Sequence, residues 1–190
     1  MRRNLTVLLS TLLVTGLPAL LYVQQAALEE ESFGVVLRAT ARIALLIYLL
    51  IFVARPLRQL APHGPGSLLL RNRRSLGIAF AAVMSVHLVF LIWLNGIELA
   101  LAGMAVYALI YLMLITSFNG PAAALGPRRW KWLHKTGLYV IGIGLAQAQF
   151  GRIARGVGEP EHYVLALLIL AAIGIRVTAW WNTRRTAASP

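Results

Sequence analysis

Six predominantly apolar stretches govern what this chain can become: Leu5–Ala27, Val35–Val53, Leu76–Leu94, Leu99–Ser117, Leu133–Phe150 and Tyr163–Trp180. A helix needs about 20 such residues to cross the hydrocarbon core of a bilayer, and each stretch is of that order. The connecting segments are short, and two of them carry turn residues, "PLRQLAPHGPGS" and "NGPAAALGP". Hydrophobic residues make up 59% of the chain, above the roughly 45–50% of soluble domains. The reading is all-α: a polytopic membrane protein, one membrane domain over residues 1–190, built as a six-transmembrane-helix bundle. The opening "MRRNLTVLLSTLL" starts like a signal peptide, but its apolar run is longer than the usual ~7–15 residues of such a region. It is read as the first span.

Charge orients the bundle. There are 18 Lys and Arg against 6 acids, a formal charge of +12. With the N-terminus inside, Arg2, Arg3, Arg55, Arg58, Arg71, Arg73, Arg74, Arg128, Arg129, Lys131, Lys135, Arg184 and Arg185 all fall on the cytoplasmic side. The outer loops hold Arg152 and Arg155, and all the acids (Glu29, Glu30, Glu31, Glu98, Glu159, Glu161) lie outside. The positive-inside rule then predicts both termini in the cytoplasm. The basic residues face anionic lipid rather than nucleic acid.

Several chemistries are excluded. The chain has no cysteine, hence no disulfide, thiol catalysis or cysteine-held metal centre. It has no Asp, no HExxH, no Walker loop and no GxGxxG, so a Ser-His-Asp set and a nucleotide- or flavin-binding domain are absent.

Titratable groups within a span are costly and therefore functional candidates. His87 lies near the middle of the third stretch, in "AVMSVHLVFLIW". Its two readings are a hydrogen bond to a neighbouring helix and axial ligation of haem iron, which a neutral imidazole in apolar surroundings suits. Arg38 and Arg42 are four residues apart on one helix face. They either reach headgroups and Glu29 to Glu31, or neutralise outward-pointing carboxylates such as haem propionates. His134 opens the fifth stretch, Gln147 and Gln149 lie toward its far end, and Arg176 sits in the sixth. His63 and His162 are read as surface residues. Gly137, Gly142 and Gly144 fit close helix packing or the approach of a flat ligand. Trp130 and Trp132 are read as part of an interfacial belt.

The set "VARPLRQL", "LLRNRRSLG", "HL", "TSF" and "LGPRRWKWLHK" resembles the ferric-reductase-like transmembrane domain. Within it, the likeness is greatest to the MsrQ/YedZ haem-binding membrane subunits, and the similar core covers about residues 35–150. The resemblance implies a six-helix bundle holding b-type haem between the third and fifth spans and carrying electrons across a bacterial inner membrane. A quinol (with a quinone site) or a separate flavin reductase would be the donor, and a periplasmic redox protein the acceptor. It makes His87 and His134 iron-ligand candidates and matches Arg73 and Arg74 to a basic pair at the entry to the third span. Gln147 stands where such members carry a further histidine.

Helical rise separates the two histidines in depth by roughly 14 Å and puts Gln147 within roughly 5 Å of the His87 level. Three arrangements stay open: haem on His87 alone, haem shared by His87 and His134, or a degenerate bundle serving as a haem-free scaffold that binds a partner. A small transporter ranks below these, because neither an inverted repeat nor a pair of broken spans is evident.

Overall fold

The computed structural model describes residues 2–26 and 29–188. Ala27, where the first span was expected to end, lies outside them, as do the side chains of Arg2 and Glu98. The described residues form seven helices and no strand: α1 (Arg2–Gln25), α2 (Glu30–Leu60), α3 (Pro65–Ala102), α4 (Met104–Ile115), α5 (Asn119–Leu125), α6 (Pro127–Ala154) and α7 (Pro160–Ala188). Three of them begin on proline, at Pro65, Pro127 and Pro160. At the first helical position the missing N–H costs nothing and the fixed φ is already helical.

Helices α1, α2, α3 and α7 are each long and apolar enough to cross a membrane. The pair α4 and α5, bent by 105°, makes a fifth candidate span. The leucines and valines of α1 and α7 stay largely exposed, among them Leu9, Leu13, Val14, Leu167 and Leu170. Faces of that kind are stable in lipid and not in water. The chain is a multi-pass, all-helical membrane protein.

Differences from the sequence expectation have local causes. The fourth stretch is not one helix. Leu99 falls at the end of α3, beyond Gly96, whose φ of 74° breaks the helical path, and α4 is only 12 residues long. At 1.5 Å per residue, α4 spans about 18 Å, short of the ~30 Å core. The link "NGPAAALGP" holds a seven-residue helix, α5, which ends at Gly126 with φ 78°. Only residues 61–64 separate α2 from α3, because α2 runs on through Pro56. Helix α6 contains the fifth stretch but falls short in apolarity, with Arg128, Arg129, Lys131 and Lys135 at one end and Gln147, Gln149 and Arg152 toward the other.

The chain divides into two compact units, residues 1–47 with 74–137, and residues 48–73 with 138–190. In the first, Val23, Phe33, Val36, Val86 and Phe90 form a buried cluster joining α1, α2 and α3. Phe33 meets the Trp93 ring edge-on at 5.3 Å and the Phe90 ring at 6.0 Å. At the α1 N-terminal end, Arg3 reaches Ser75, and the Asn4 amide donates to the Ser117 carbonyl at 3.2 Å.

In the second unit, Tyr48 Oη donates to the Leu138 carbonyl at 2.7 Å, and its hydroxyl occupies the space where a Gly142 side chain would begin. Tyr48 stacks on Phe52, and Phe52 meets Tyr139 edge-on. Pro56 has no N–H to donate to the Phe52 carbonyl four residues back. Arg176 of α7 does so instead, Nη1 to oxygen 3.0 Å, with its guanidinium over the Phe52 and Tyr139 rings at 4.4 and 5.0 Å. The Arg176 charge is thus held by two aromatic faces and one carbonyl, not by an acid.

Two histidine–threonine pairs as the candidate functional site

His87 lies on α3 within the first unit, and its Nδ1 is 2.9 Å from Thr40 Oγ1 on α2. Thr40 is 3% exposed. It belongs to the buried stripe of α2 that includes Phe33, Val36 and Ala44, spaced at helical intervals. Its Oγ1 is also 2.8 Å from the Val36 carbonyl and 3.1 Å from that of Leu37.

A hydroxyl has one hydrogen. Two oxygens at 2.8 Å with no hydrogen between them would set lone pair against lone pair, so the Thr40 hydrogen goes to Val36. Thr40 Oγ1 then meets His87 as an acceptor. Nδ1 must carry the ring proton, and in a neutral imidazole the lone pair sits on Nε2. The tautomer follows from this hydrogen count.

His134 on α6 is the reverse case. Its Nε2 is 3.1 Å from Thr116 Oγ1, and Thr116 Oγ1 is 2.7 Å from the Leu112 carbonyl. By the same count, Nε2 of His134 donates. Trp130 stacks on the His134 ring at 4.2 Å, and its Nε1–H donates to the Thr116 carbonyl at 2.8 Å. Just past the end of α4, the Thr116 and Ser117 carbonyls are taken by Trp130 and Asn4.

The two histidines lie at different levels of the first unit. His134 is tied to Thr116, beside Ser117, which Asn4 holds, and neighbouring Arg3 reaches Ser75. Ser75 is twelve residues before His87 on α3, about 18 Å of helix.

The other candidates fall elsewhere. Arg38 and Arg42 are each two residues from Thr40, about 200° around α2 and so on the face turned away from His87. Arg38 is exposed and folds back over Gly34. Arg74 Nη1 donates to Asn119 Oδ1 at 3.0 Å, at the α5 end of the first unit. Gln147 is exposed. Gln149, two residues on, is 8% exposed, and its Oε1 has no hydrogen-bond donor.

His63 is exposed as expected, but His162 is buried, accepting at Nδ1 from the Glu159 backbone N–H at the start of α7. Among the described residues no group of three or more His, Cys, Asp or Glu could hold a metal ion. Thr40, Thr116 and Gln149 carry no motif. The one sequence signal for Thr40 is that it is polar within the apolar stripe of α2.

Three proteins with known assignments are similar to this chain. Each is described as a haem-binding subunit MsrQ of protein-methionine-sulfoxide reductase. The one from Polaromonas naphthalenivorans is 28% identical over 80% of this chain and 74% of its own length. The one from Ralstonia nicotianae is 30% identical over 78% of this chain and 72% of its own length. That of Herminiimonas arsenicoxydans is 22% identical over 68% of this chain and 63% of its own length. No family model and no solved structure matches the chain.

Proposed function

The chain belongs to the MsrQ family of haem-binding subunits of protein-methionine-sulfoxide reductase, and on that premise we propose that it is a haem b protein relaying electrons across a bacterial inner membrane. The observation that carries the reading is the His87–Thr40 pair, which leaves the Nε2 lone pair of a neutral imidazole ready for iron. When bound, haem would supply reversible one-electron chemistry. His87 would hold the iron, Thr40 would orient His87, and the apolar residues around them would limit access of water.

His134 is the second candidate, but Thr116 and Trp130 already engage it. Its present role is to pin α6 to the end of α4. The six-span, N-in and C-in arrangement requires α6 as a span. Its 28 residues reach about 42 Å, enough for the bilayer with charged ends at the interface. The donor is a quinol or a separate flavin reductase on the inner side, and the acceptor a reductase partner on the outer side. Arg38, Arg42 and Arg74 serve anionic lipid or partner contacts at the two faces.

The test is the absorption spectrum of purified, haem-reconstituted protein, oxidised and reduced, beside His87→Ala and His134→Ala. The expected result is a Soret band lost with His87 and kept with His134. Loss in both would mean that the two histidines share the iron. No Soret band in the unaltered protein would refute the reading. A second reading is a haem-free scaffold: by the resemblance, Gln147 stands where such members carry a further histidine, and its side chain is exposed.

A further inference from the structure

The hydrogen-bond pattern on α2 assigns to Thr40 a task beyond packing. We infer that Thr40 is a positioning residue that fixes His87 as the Nδ1–H tautomer and, by accepting that proton's hydrogen bond, raises electron donation from Nε2 to iron. The inference rests on the haem reading above.

Three features support it. First, the Thr40 hydroxyl cannot turn round. Its hydrogen is held by the Val36 carbonyl at 2.8 Å, with the Leu37 carbonyl at 3.1 Å, so the oxygen lone pairs stay aimed at α3. Second, Thr40 Oγ1 stands 2.9 Å from His87 Nδ1, too close for two lone pairs to face each other with no hydrogen between them. Moving the proton to Nε2 would set Nδ1 against the Thr40 oxygen lone pair. Third, the threonine side of the pair is buried, and His87 is half-buried. Thr40 is 3% exposed, Val86 beside the histidine is 7% exposed and Val36 one turn from Thr40 is 5% exposed. Water has little room to substitute for the hydroxyl.

An imidazole that donates from its second nitrogen is a stronger base at the first, and loss of such a partner typically weakens metal binding by about 10–100-fold. Stronger donation favours the ferric state and so lowers the reduction potential. His134 is the internal contrast. There a threonine takes the proton of Nε2 instead, which turns the usual iron-binding nitrogen into a donor.

The experiment uses the full chain in lipid nanodiscs, with Thr40→Val and Thr40→Ser. Two readouts are needed. In haem-free protein labelled with nitrogen-15 at histidine, His87 should show a protonated Nδ1 and a bare Nε2. Thr40→Val should blur that assignment toward a tautomer mixture, and Thr40→Ser should restore it. In haem-loaded protein, Thr40→Val should raise the reduction potential and speed haem loss about 10–100-fold, and Thr40→Ser should return both toward the starting values. A bare Nδ1 on His87 in the unaltered protein overturns the inference. So does a potential and haem retention indifferent to Thr40→Val. Absence of haem from the unaltered protein would sink the haem reading and with it the role toward iron, while the nitrogen shifts would still decide the tautomer.

Discussion

The Arg176 guanidinium donates to the carbonyl of Phe52, the acceptor that Pro56 leaves without a helical donor in α2. A proline that would otherwise end or kink the helix is tolerated because a cation from α7 takes over the vacant bond. The same cation is held over Phe52 and Tyr139, so one side chain serves backbone and rings together.

Replacing Arg176 should therefore cost more than a lost surface charge. Arg176→Met leaves a buried carbonyl unpaired, a loss of about 1–3 kcal/mol. In a Pro56→Ala background the new N–H supplies the bond within α2, and the cost of Arg176→Met should shrink by about 1 kcal/mol. Thermal unfolding of the four proteins in one detergent measures this coupling. Equal costs in both backgrounds would show that Arg176 acts through the rings alone.

Two glycines of α6 should respond differently to alanine. At Gly142 the added carbon meets the hydroxyl of Tyr48, which is fixed by its bond to the Leu138 carbonyl and by stacking on Phe52. At Gly137 it meets the thioether of Met113, a side chain with three soft torsions. Gly142→Ala should cost about 1–3 kcal/mol and Gly137→Ala less than about 1 kcal/mol. Tyr48→Phe should relieve the first. Melting temperatures that rank the two the other way would contradict the packing described.

Removing the Thr116 hydroxyl should loosen the junction of α4 and α6 without touching His87. Thr116→Val leaves the Nε2 proton of His134 without its acceptor, a cost of about 1–3 kcal/mol. Proteolysis at the α5–α6 connection should quicken, and the haem content of reconstituted protein should stay unchanged. A falling haem content would move His134 into the iron site.

Gln149 holds an amide oxygen, buried and unpartnered, on α6. Gln149→Met fills similar space without that oxygen and should stabilise the protein by about 1 kcal/mol. Gln147→Met, on an exposed position, should change little in comparison. If Gln149→Met destabilises instead, the amide oxygen has a donor in the working protein.

The absence of native cysteine makes topology directly measurable. A single cysteine at His63, between α2 and α3, should react with a membrane-impermeant maleimide only from the cytoplasmic side. One at Val157, between α6 and α7, should react only from the outside. Labelling of both from one side would rule out six spans.

Much of the architecture was legible in the residue order. Apolar runs marked the long helices, because only a helix satisfies its own backbone where there is no water. The link "NGPAAALGP" misled, since its turn residues flank a short helix rather than a loop. Pro56 misled too, since its effect on α2 depends on Arg176, 120 residues away in the chain.

The sequence by itself determined that this chain is an apolar, cysteine-free helical membrane protein of the MsrQ kind, with His87 as its most telling side chain. Those properties are sums over residues or local patterns, and no partner is needed to read them. The tertiary structure alone decided which threonine each histidine meets and therefore which ring nitrogen keeps its lone pair. It also decided that Gln149 is buried while Gln147 is exposed. Hydrogen bonds between helices depend on register and rotation, set by the packing of all the helices at once, and no short stretch of chain encodes them.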